Sequence, residues 1–347
     1  MRVALDVTAA ATGSTGVARY VNELRRTLAS QVEVVPFAFG RAVDVAGGDV
    51  SQWRLPLRLL HRSWPVVAWP RVETLVGCVD VVHVPDLLPP PLRAPLVMTV
   101  HDLAALEHPD LHPARRVQAQ RRQLAAAHRA AVVLAVSEVT AQALRHRGID
   151  PDRVMVAYSG ATQLPAPAPR RVEPPYLLAV GEVTARKGLP LLLDAFHHAR
   201  LPPSWRLVLA GPDGPEADTL LGEVGSRVVR LGRVTDAELS RLYDDALALC
   251  FPSVAEGFGL PLVEAMSAGL PVLAHDLPIV QEVTAGAAVL VPLGDAAAWR
   301  DALERCAFDP DLLGRCAAAG RRRAALFTWE ETARTTVEAY RRAVACG

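Results

Sequence analysis

Ala246-Leu-Ala-Leu-Cys-Phe-Pro-Ser-Val-Ala-Glu-Gly-Phe-Gly-Leu-Pro-Leu-Val-Glu-Ala-Met-Ser-Ala-Gly269 reads as strand, loop and helix. Residues 246–251 form a short, continuously apolar run, the signature of a strand buried on both faces. Pro261 suits a first helical turn, where its fixed φ helps and its missing N–H costs nothing. Gly257 and Gly259, on either side of Phe258, let the backbone come close to a ligand. The free N–H groups of a helix opening at Leu260 are suited to an anion. Two carboxylates accompany them, Glu256 in the loop and Glu264 in the helix. Carboxylates beside an anion site would repel a bare phosphate. They make chemical sense if they accept hydrogen bonds from hydroxyls while backbone amides hold phosphate, and that combination points to a sugar nucleotide.

Outward from this segment, apolar runs alternate with helical patterns along the whole chain. In the first half, strands are expected at 2–7, 32–36, 79–84, 96–101 and 131–136, and helices at 17–30, 113–129 and 138–147. Ser137 stands at the N-cap position of the last of these. Pro165, Pro167, Pro169, Pro174 and Pro175 then crowd a stretch that cannot be a regular element. Beyond it the alternation restarts, with strands expected at 176–180, 206–210, 227–231, 246–251, 271–274 and 288–291. Helices fall near 190–199, 236–245, 260–268 and 279–284, and roughly the last fifty residues read as helical throughout. Strands alternating with helices of this length imply parallel sheets with crossover connections. The expected architecture is α/β, with two Rossmann-like, doubly wound domains facing a central cleft. Residues 1–162 form the first domain, 163–175 the linker, 176–327 the second domain, and 328–347 a C-terminal helix.

Composition narrows the class. A chain of 347 residues, 51% hydrophobic and 21% charged, is ample for two globular domains. A formal net charge of zero gives no global argument for nucleic acid, and none is expected as a partner. The five cysteines are scattered without a CxxC pair, so neither a disulfide framework nor a zinc site is expected, and a reducing cytoplasm suits them. Met1-Arg-Val-Ala-Leu-Asp6 runs straight into a strand rather than a signal peptide, and no apolar run is long enough for a spanning helix.

Three further groups carry chemistry. Leu177-Leu-Ala-Val-Gly-Glu-Val-Thr-Ala-Arg-Lys-Gly188 ends a strand at Gly181 and delivers Arg186 and Lys187 side by side. Adjacent cations at a strand's carboxyl end suit a diphosphate, arginine offering a fork and lysine a compact charge. A solvated surface pair is the plain alternative, but Lys187 is the single lysine among the 37 Lys and Arg residues. Near the start, Thr12-Gly-Ser-Thr-Gly16 precedes a helix, a geometry open to phosphate or merely to a turn. Neither GxGxxG nor GxxxxGK[ST] is present. His101 ends an apolar run at the expected cleft mouth. Isolated histidines are commonly structural, and the strand-end position keeps a functional reading open. His83 sits similarly with less to support it. Trp53, Trp64 and Trp69 lie in a divergent region, where their rings could stack on a sugar or pack in the core. Arg115, Arg116, Arg121, Arg122 and Arg129 give helix 113–129 a basic face, solvated or resting on anionic lipid.

Together these pieces resemble the family-4 retaining glycosyltransferases of the GT-B fold. The resemblance rests on Gly13-Ser-Thr-Gly-Val-Ala-Arg-Tyr20, His101-Asp-Leu-Ala-Ala-Leu-Glu-His-Pro109, Val136-Ser-Glu138, Gly181 with Arg186-Lys187-Gly188, Gly232-Arg-Val234, the E-x7-E pair Glu256 and Glu264, and Phe327-Thr-Trp-Glu330. It implies that the closing helix returns to the first domain, which binds the acceptor, and that the second domain binds the nucleotide sugar. It further implies that Glu256 holds the donor sugar with the amides around Phe258 and Gly259, and that Glu264 accepts from the ribose. Arg186 and Lys187 would neutralise the leaving diphosphate without a metal ion or other cofactor. Gly16 would face the phosphate and sugar, His101 would touch the donor sugar, and the backbone at Val234 would border the base. The implied donor is a GDP- or UDP-hexose, with the His-Asp-Leu pattern leaning towards mannose. The acceptor is a saccharide, a lipid-linked intermediate or a small molecule, as in surface-polysaccharide biosynthesis. The expected location is the cytoplasm, with peripheral contact at the inner membrane face open. A sugar-nucleotide epimerase of the same fold and a non-catalytic sugar-nucleotide-binding relative are the alternatives, and a pyridoxal-phosphate phosphorylase lacks a second lysine. Nothing in the sequence bears on oligomeric state.

Overall fold

Residues 1–12, 15–40, 50–53, 60, 64, 69–86, 88–222 and 224–346 are described by the computed structural model. The chain divides into Met1–Gly160 with Thr328–Gly347, here unit 1, and Ala161–Phe327, unit 2. Unit 1 contains strands β1 (Arg2–Asp6), β2 (Glu33–Phe39), β3 (Ser51–Trp53), β4 (Val81–Val84), β5 (Leu96–Val100), β6 (Val132–Ala135) and β7 (Val154–Val156). They form one sheet in the order β3-β2-β1-β4-β5-β6-β7, parallel throughout. Unit 2 contains β8 (Tyr176–Val180), β9 (Arg206–Ala210), β10 (Val228–Gly232), β11 (Ala248–Phe251), β12 (Val272–His275) and β13 (Ala288–Val291). Their order is β10-β9-β8-β11-β12-β13, again all parallel. Both units are therefore doubly wound α/β sheets of the GT-B kind. Each has one point where strand order reverses, between β1 and β4 in unit 1 and between β8 and β11 in unit 2. Crevices at the carboxyl ends of strands beside such points are where open α/β sheets bind ligands.

The central strands β4, β5, β6, β11 and β12 are buried at every position, which is why they read as predominantly apolar runs without alternation, interrupted only by His83, Thr99 and His275. Helix Gly16–Leu28 turns Ala18, Tyr20, Val21, Leu24 and Leu28 to the core, the spacing of one helical face. Ser137 caps helix Glu138–His146 by accepting from the Thr140 N–H. A reciprocal Thr235–Glu238 capping box starts helix Asp236–Asp245.

The structure differs from the sequence expectation in several places, among them the short helices Glu73–Val76, Ala104–Glu107 and Ala217–Leu221. The strand expected to stop at 36 continues to Phe39, because Phe37 and Phe39 are core residues. Two short strands, β3 and β7, were not expected. The helical tail is three helices, Ala296–Phe308, Pro310–Ala324 and Trp329–Ala345. The first break falls at Asp309, whose side chain accepts from the Leu312 N–H and starts the next helix.

Helix Trp329–Ala345 completes unit 1. It packs on helix Gly16–Leu28 and on β4, β5 and β6, burying Trp329, Ala333, Val337, Ala339, Tyr340 and Ala343. A buried polar chain fixes its position. Tyr340 Oη and His83 Nδ1 share a hydrogen bond of 2.7 Å, His83 Nε2 and Thr99 Oγ1 one of 2.8 Å, and Thr99 Oγ1 lies 3.4 Å from Tyr20 Oη. The Thr332 hydroxyl donates to the Tyr158 carbonyl at 2.6 Å. Gly160 has no room for a side chain, since a Cβ there would run into the Trp329 backbone.

Burial drives the His83 pKa from 6.5 down to about 3, with the neighbouring His101 adding to the effect. The native state thus holds His83 neutral while the unfolded chain protonates it near 6.5. Its stabilising contribution is complete above that pH and is lost as pH falls towards 3. Tyr340→Phe leaves His83 Nδ1 buried without its partner. It is expected to lower the unfolding free energy by about 1–3 kcal/mol. Urea titration across this acid range checks both the loss and its pH dependence.

Candidate active site

In unit 2, β8 and β11 are neighbours at the reversal point, and each carries at its carboxyl end a loop with candidate site residues. After β8 come Gly181 and a short turn over Ala185–Lys187; after β11 comes the segment leading to helix Leu260–Ala268. Backbone and side chains tie the two loops together. The Val254 N–H donates to the Arg186 carbonyl at 2.9 Å, and Arg186 Nη1 donates to the Ala255 carbonyl at 2.6 Å. Gly188 is left-handed (φ +62°), and a Cβ there would collide with the Pro252 carbonyl oxygen. This is a close backbone approach that glycine alone permits.

The three groups expected to meet the donor converge here. Lys187 Nζ lies 2.6 Å and Arg186 Nη1 2.9 Å from the same oxygen, Glu256 Oε1. Their side chains are 13%, 23% and 11% exposed, for Lys187, Arg186 and Glu256 respectively. The lysine stem lies against Gly181, where a Cβ would come within 3.0 Å of Lys187 Cε, and the ammonium sits 5.2 Å from the Phe251 ring centroid. Burial alone would raise the Glu256 pKa. The Lys187 and Arg186 charges, with the hydrogen bond from Lys187, outweigh it and hold the carboxyl at about 2, ionised at neutral pH. A small pocket beside Lys187 is lined by Gly181, Leu189, Phe251, Pro252 and Ser253, among others.

Around this centre, Gly259 is left-handed (φ +88°) and caps the start of helix Leu260–Ala268, with Pro261 in the first turn. Phe258 is buried and meets Phe327 edge-on at 5.5 Å, which anchors the loop between Gly257 and Gly259. Leu260 is half-buried as the first helical residue. Glu264 is deep in that helix, 5% exposed, and accepts from Tyr243 Oη at 3.0 Å. Val234 lies just past β10, ahead of the Thr235 cap.

Unit 1 holds the other two expected site residues. Gly16 is the exposed first residue of helix Gly16–Leu28, and Thr15 caps that helix through the Ala18 N–H at 3.1 Å. Gly13 and Ser14 of the same loop lie outside the described residues. His101 follows β5, next to β4 and so one strand from the reversal point. Its ring meets Tyr20 edge-on at 4.7 Å, and Nε2 is buried with no hydrogen-bond partner among the described residues. Burial pushes its pKa down, opposed by Asp86 and Asp102. His83, the other strand-end histidine, is wholly enclosed in the network that docks helix Trp329–Ala345. Of the tryptophans, Trp53 and Trp64 pack on Phe39 at 5.6 and 5.3 Å between ring centroids, whereas Trp69 is 64% exposed.

Sequence reasoning misses His275, the last residue of β12. Its Nδ1–H donates to the Ser253 carbonyl at 3.2 Å, and its ring meets Trp299 edge-on at 5.5 Å, bracing the Glu256 loop from behind. The signal was available: like His101, it is a histidine closing an apolar run.

Comparison with known proteins identifies the family. Residues 14–162 match the family model Glycosyltransferase Family 4, and residues 174–309 match Glycosyl transferases group 1. The chain belongs to these glycosyltransferases and is a transferase of that class. An O-antigen chain mannosyltransferase B of Escherichia coli is 29% identical over 279 residues, which covers 75% of this chain and 73% of that protein. Sucrose-phosphate synthase from Thermosynechococcus elongatus superposes with a TM-score of 0.81 at 22% identity, covering 100% of both chains. Anabaena HepE, solved in complex with UDP-glucose, gives a TM-score of 0.72 at 18% identity, covering 97% of this chain and 98% of that one.

Gly188→Ala separates the two tied loops and places a side chain in left-handed backbone, which alone costs about 1–2 kcal/mol. A drop of at least ~2 °C in melting temperature, together with lost transfer activity, is expected. Gly222→Ala is the control. It too has positive φ (+57°), but nothing lies within 4 Å of the added carbon, so it should lose stability and keep activity.

Proposed function

We propose that this glycosyltransferase moves a hexose, mannose in the first instance, from a GDP- or UDP-sugar to a saccharide, lipid-linked or small-molecule acceptor, with retention at the anomeric carbon. The observation that carries this reading is the meeting of Arg186, Lys187 and Glu256 at the reversal point of unit 2. In the reaction, the bond between the anomeric carbon and the β-phosphate oxygen breaks, and the departing diphosphate keeps the electron pair. The acceptor hydroxyl oxygen bonds to the same face of the sugar, and its proton passes to the departing phosphate oxygen. Arg186 and Lys187 stabilise the charge that develops on the diphosphate, so a metal ion or other cofactor is not required. Glu256 takes hydroxyls of the hexose, with the amides around Gly257, Phe258, Gly259 and Leu260. Glu264 takes the ribose, Gly181 gives the phosphates close access, and the backbone at Val234 borders the base. From unit 1 we assign Gly16 to the phosphate and sugar and His101 to the sugar, its Nε2 having no hydrogen-bond partner among the described residues. Mannose is favoured by the similarity to the O-antigen mannosyltransferase and a UDP-sugar by the similarity to HepE, so titration with both UDP and GDP decides the base.

Glu256→Ala is expected to lose at least ~100-fold in turnover while keeping a cooperative thermal transition; wild-type turnover would refute the assignment. Lys187→Ala should weaken the bound nucleoside diphosphate by roughly tenfold, measured by calorimetry. Isomerisation of the donor without acceptor would instead indicate an epimerase, and binding without any turnover a non-catalytic relative.

We further propose peripheral contact with anionic membrane through helix Ala114–Ala127 and the adjoining Arg129. Arg115, Arg116, Arg121, Arg122 and Arg129 are all exposed, and no helix among the described residues is long and apolar enough to cross a membrane. Co-sedimentation with phosphatidylglycerol vesicles should fall on replacing Arg115, Arg122 and Arg129 by Gln, and be absent with phosphatidylcholine alone.

A further inference from the structure

The cations assigned to the diphosphate are already engaged. Lys187 and Arg186 both close on Glu256 Oε1, so two cations and one carboxylate share a place largely withdrawn from water. A diphosphate cannot take the inner faces of these cations while the carboxylate occupies them. Two anions pressed together there would repel strongly, because so little water screens them. Arg186 is also held by the Ala255 carbonyl and stays in position if the carboxylate leaves. Glu256 precedes Gly257, whose freedom lets the loop re-aim the side chain.

We propose that Glu256 is the resident counter-anion of the diphosphate subsite, and that donor binding is an anion exchange in which the diphosphate takes Lys187 and Arg186 and the released carboxylate turns to the hexose hydroxyls. The proposal rests on the nucleotide-sugar reading above and adds a discriminating role to it. A sugar nucleotide supplies hydroxyl hydrogens to the carboxylate it displaces. A free nucleoside diphosphate, the product left after transfer, supplies none. It leaves an ionised, poorly hydrated carboxylate beside a polyanion, an arrangement that costs affinity. The site therefore prefers the substrate over the spent product, and re-formation of the Lys187–Glu256 pair helps expel the product after the hexose has gone.

The competing view is that Glu256 only orients the two cations. The two views differ in sign. Calorimetry with UDP and GDP on the wild type and on Glu256→Gln reads it directly. The exchange predicts that the nucleoside diphosphate bound by the wild type binds at least about threefold tighter to the variant, while the corresponding nucleotide sugar gains less or loses. Unchanged or weaker binding of the nucleoside diphosphate by the variant overturns the exchange and leaves the nucleotide-sugar reading standing. If the wild type binds neither UDP nor GDP, that reading falls and the exchange with it. A second measurement needs no variant. Because Lys187 is the chain's single lysine, labelling with 13Cε,15Nζ-lysine yields one side-chain resonance. Saturating nucleoside diphosphate must shift it, and an unmoved resonance overturns the exchange even if Glu256→Gln fails to fold.

Discussion

The Pro252 carbonyl oxygen leaves no space for a side chain at residue 188, and this one contact sets the geometry of the site in unit 2. Because Gly188 comes so close, the Ala185–Lys187 turn lies against the segment after β11. The Val254 N–H then reaches the Arg186 carbonyl, and both cations reach Glu256. The charged cluster is a consequence of backbone fit as much as of attraction. An ion pair so poorly hydrated contributes little net stability by itself; held by a rigid frame, its energy remains available for chemistry. Gly181 and Gly211 extend the same logic one strand outwards, since a side chain on Gly211 would strike the Gly181 carbonyl.

The histidines show how one residue type is put to different uses by depth and by partner. His83 has both ring nitrogens bonded and a pKa driven to about 3, so it behaves as a neutral structural connector. His275 bonds a loop carbonyl, and burial likewise holds its pKa down. His101 keeps a buried nitrogen with no hydrogen-bond partner among the described residues, beside the ring of Tyr20. Tyr20 links the two histidines of unit 1, since its hydroxyl approaches Thr99 in the His83 network while its ring meets both His101 and Trp329.

Much of the fold was legible in the sequence for a physical reason: strands buried on both faces cannot alternate, so β8 and β9 stand out with the bounds expected. β3 and β7 escaped notice because each is only three residues long, lies at a sheet edge and is largely half-buried, which leaves no distinctive pattern. Of the site, residue types and strand-end positions were legible, but the pairing was not. Lys187 and Glu256 are 69 residues apart, and only the β8–β11 adjacency brings them into contact. Read separately, the cations suit phosphate and the carboxylate suits hydroxyls; read in the fold, each is the other's partner. The contacts of Tyr243 with Glu264 and of His275 with Ser253 were hidden for the same reason, although His275 itself stood visibly at the end of an apolar run.

Unit 1 is discontinuous, and this has a consequence for biosynthesis. Its sheet needs Tyr340 to satisfy His83 and needs helix Trp329–Ala345 to cover β4, β5 and β6. Residues 161–327 are translated in between and contain every strand of the second sheet. At about 5–20 residues per second, the gap between the end of the first segment and the arrival of the closing helix lasts roughly ten to forty seconds. Over that interval the inserted unit can close its own core on the ribosome, while the older part of the chain keeps an apolar sheet face and an unsatisfied histidine open to chaperones. The unit synthesised second is thus the one able to finish folding first.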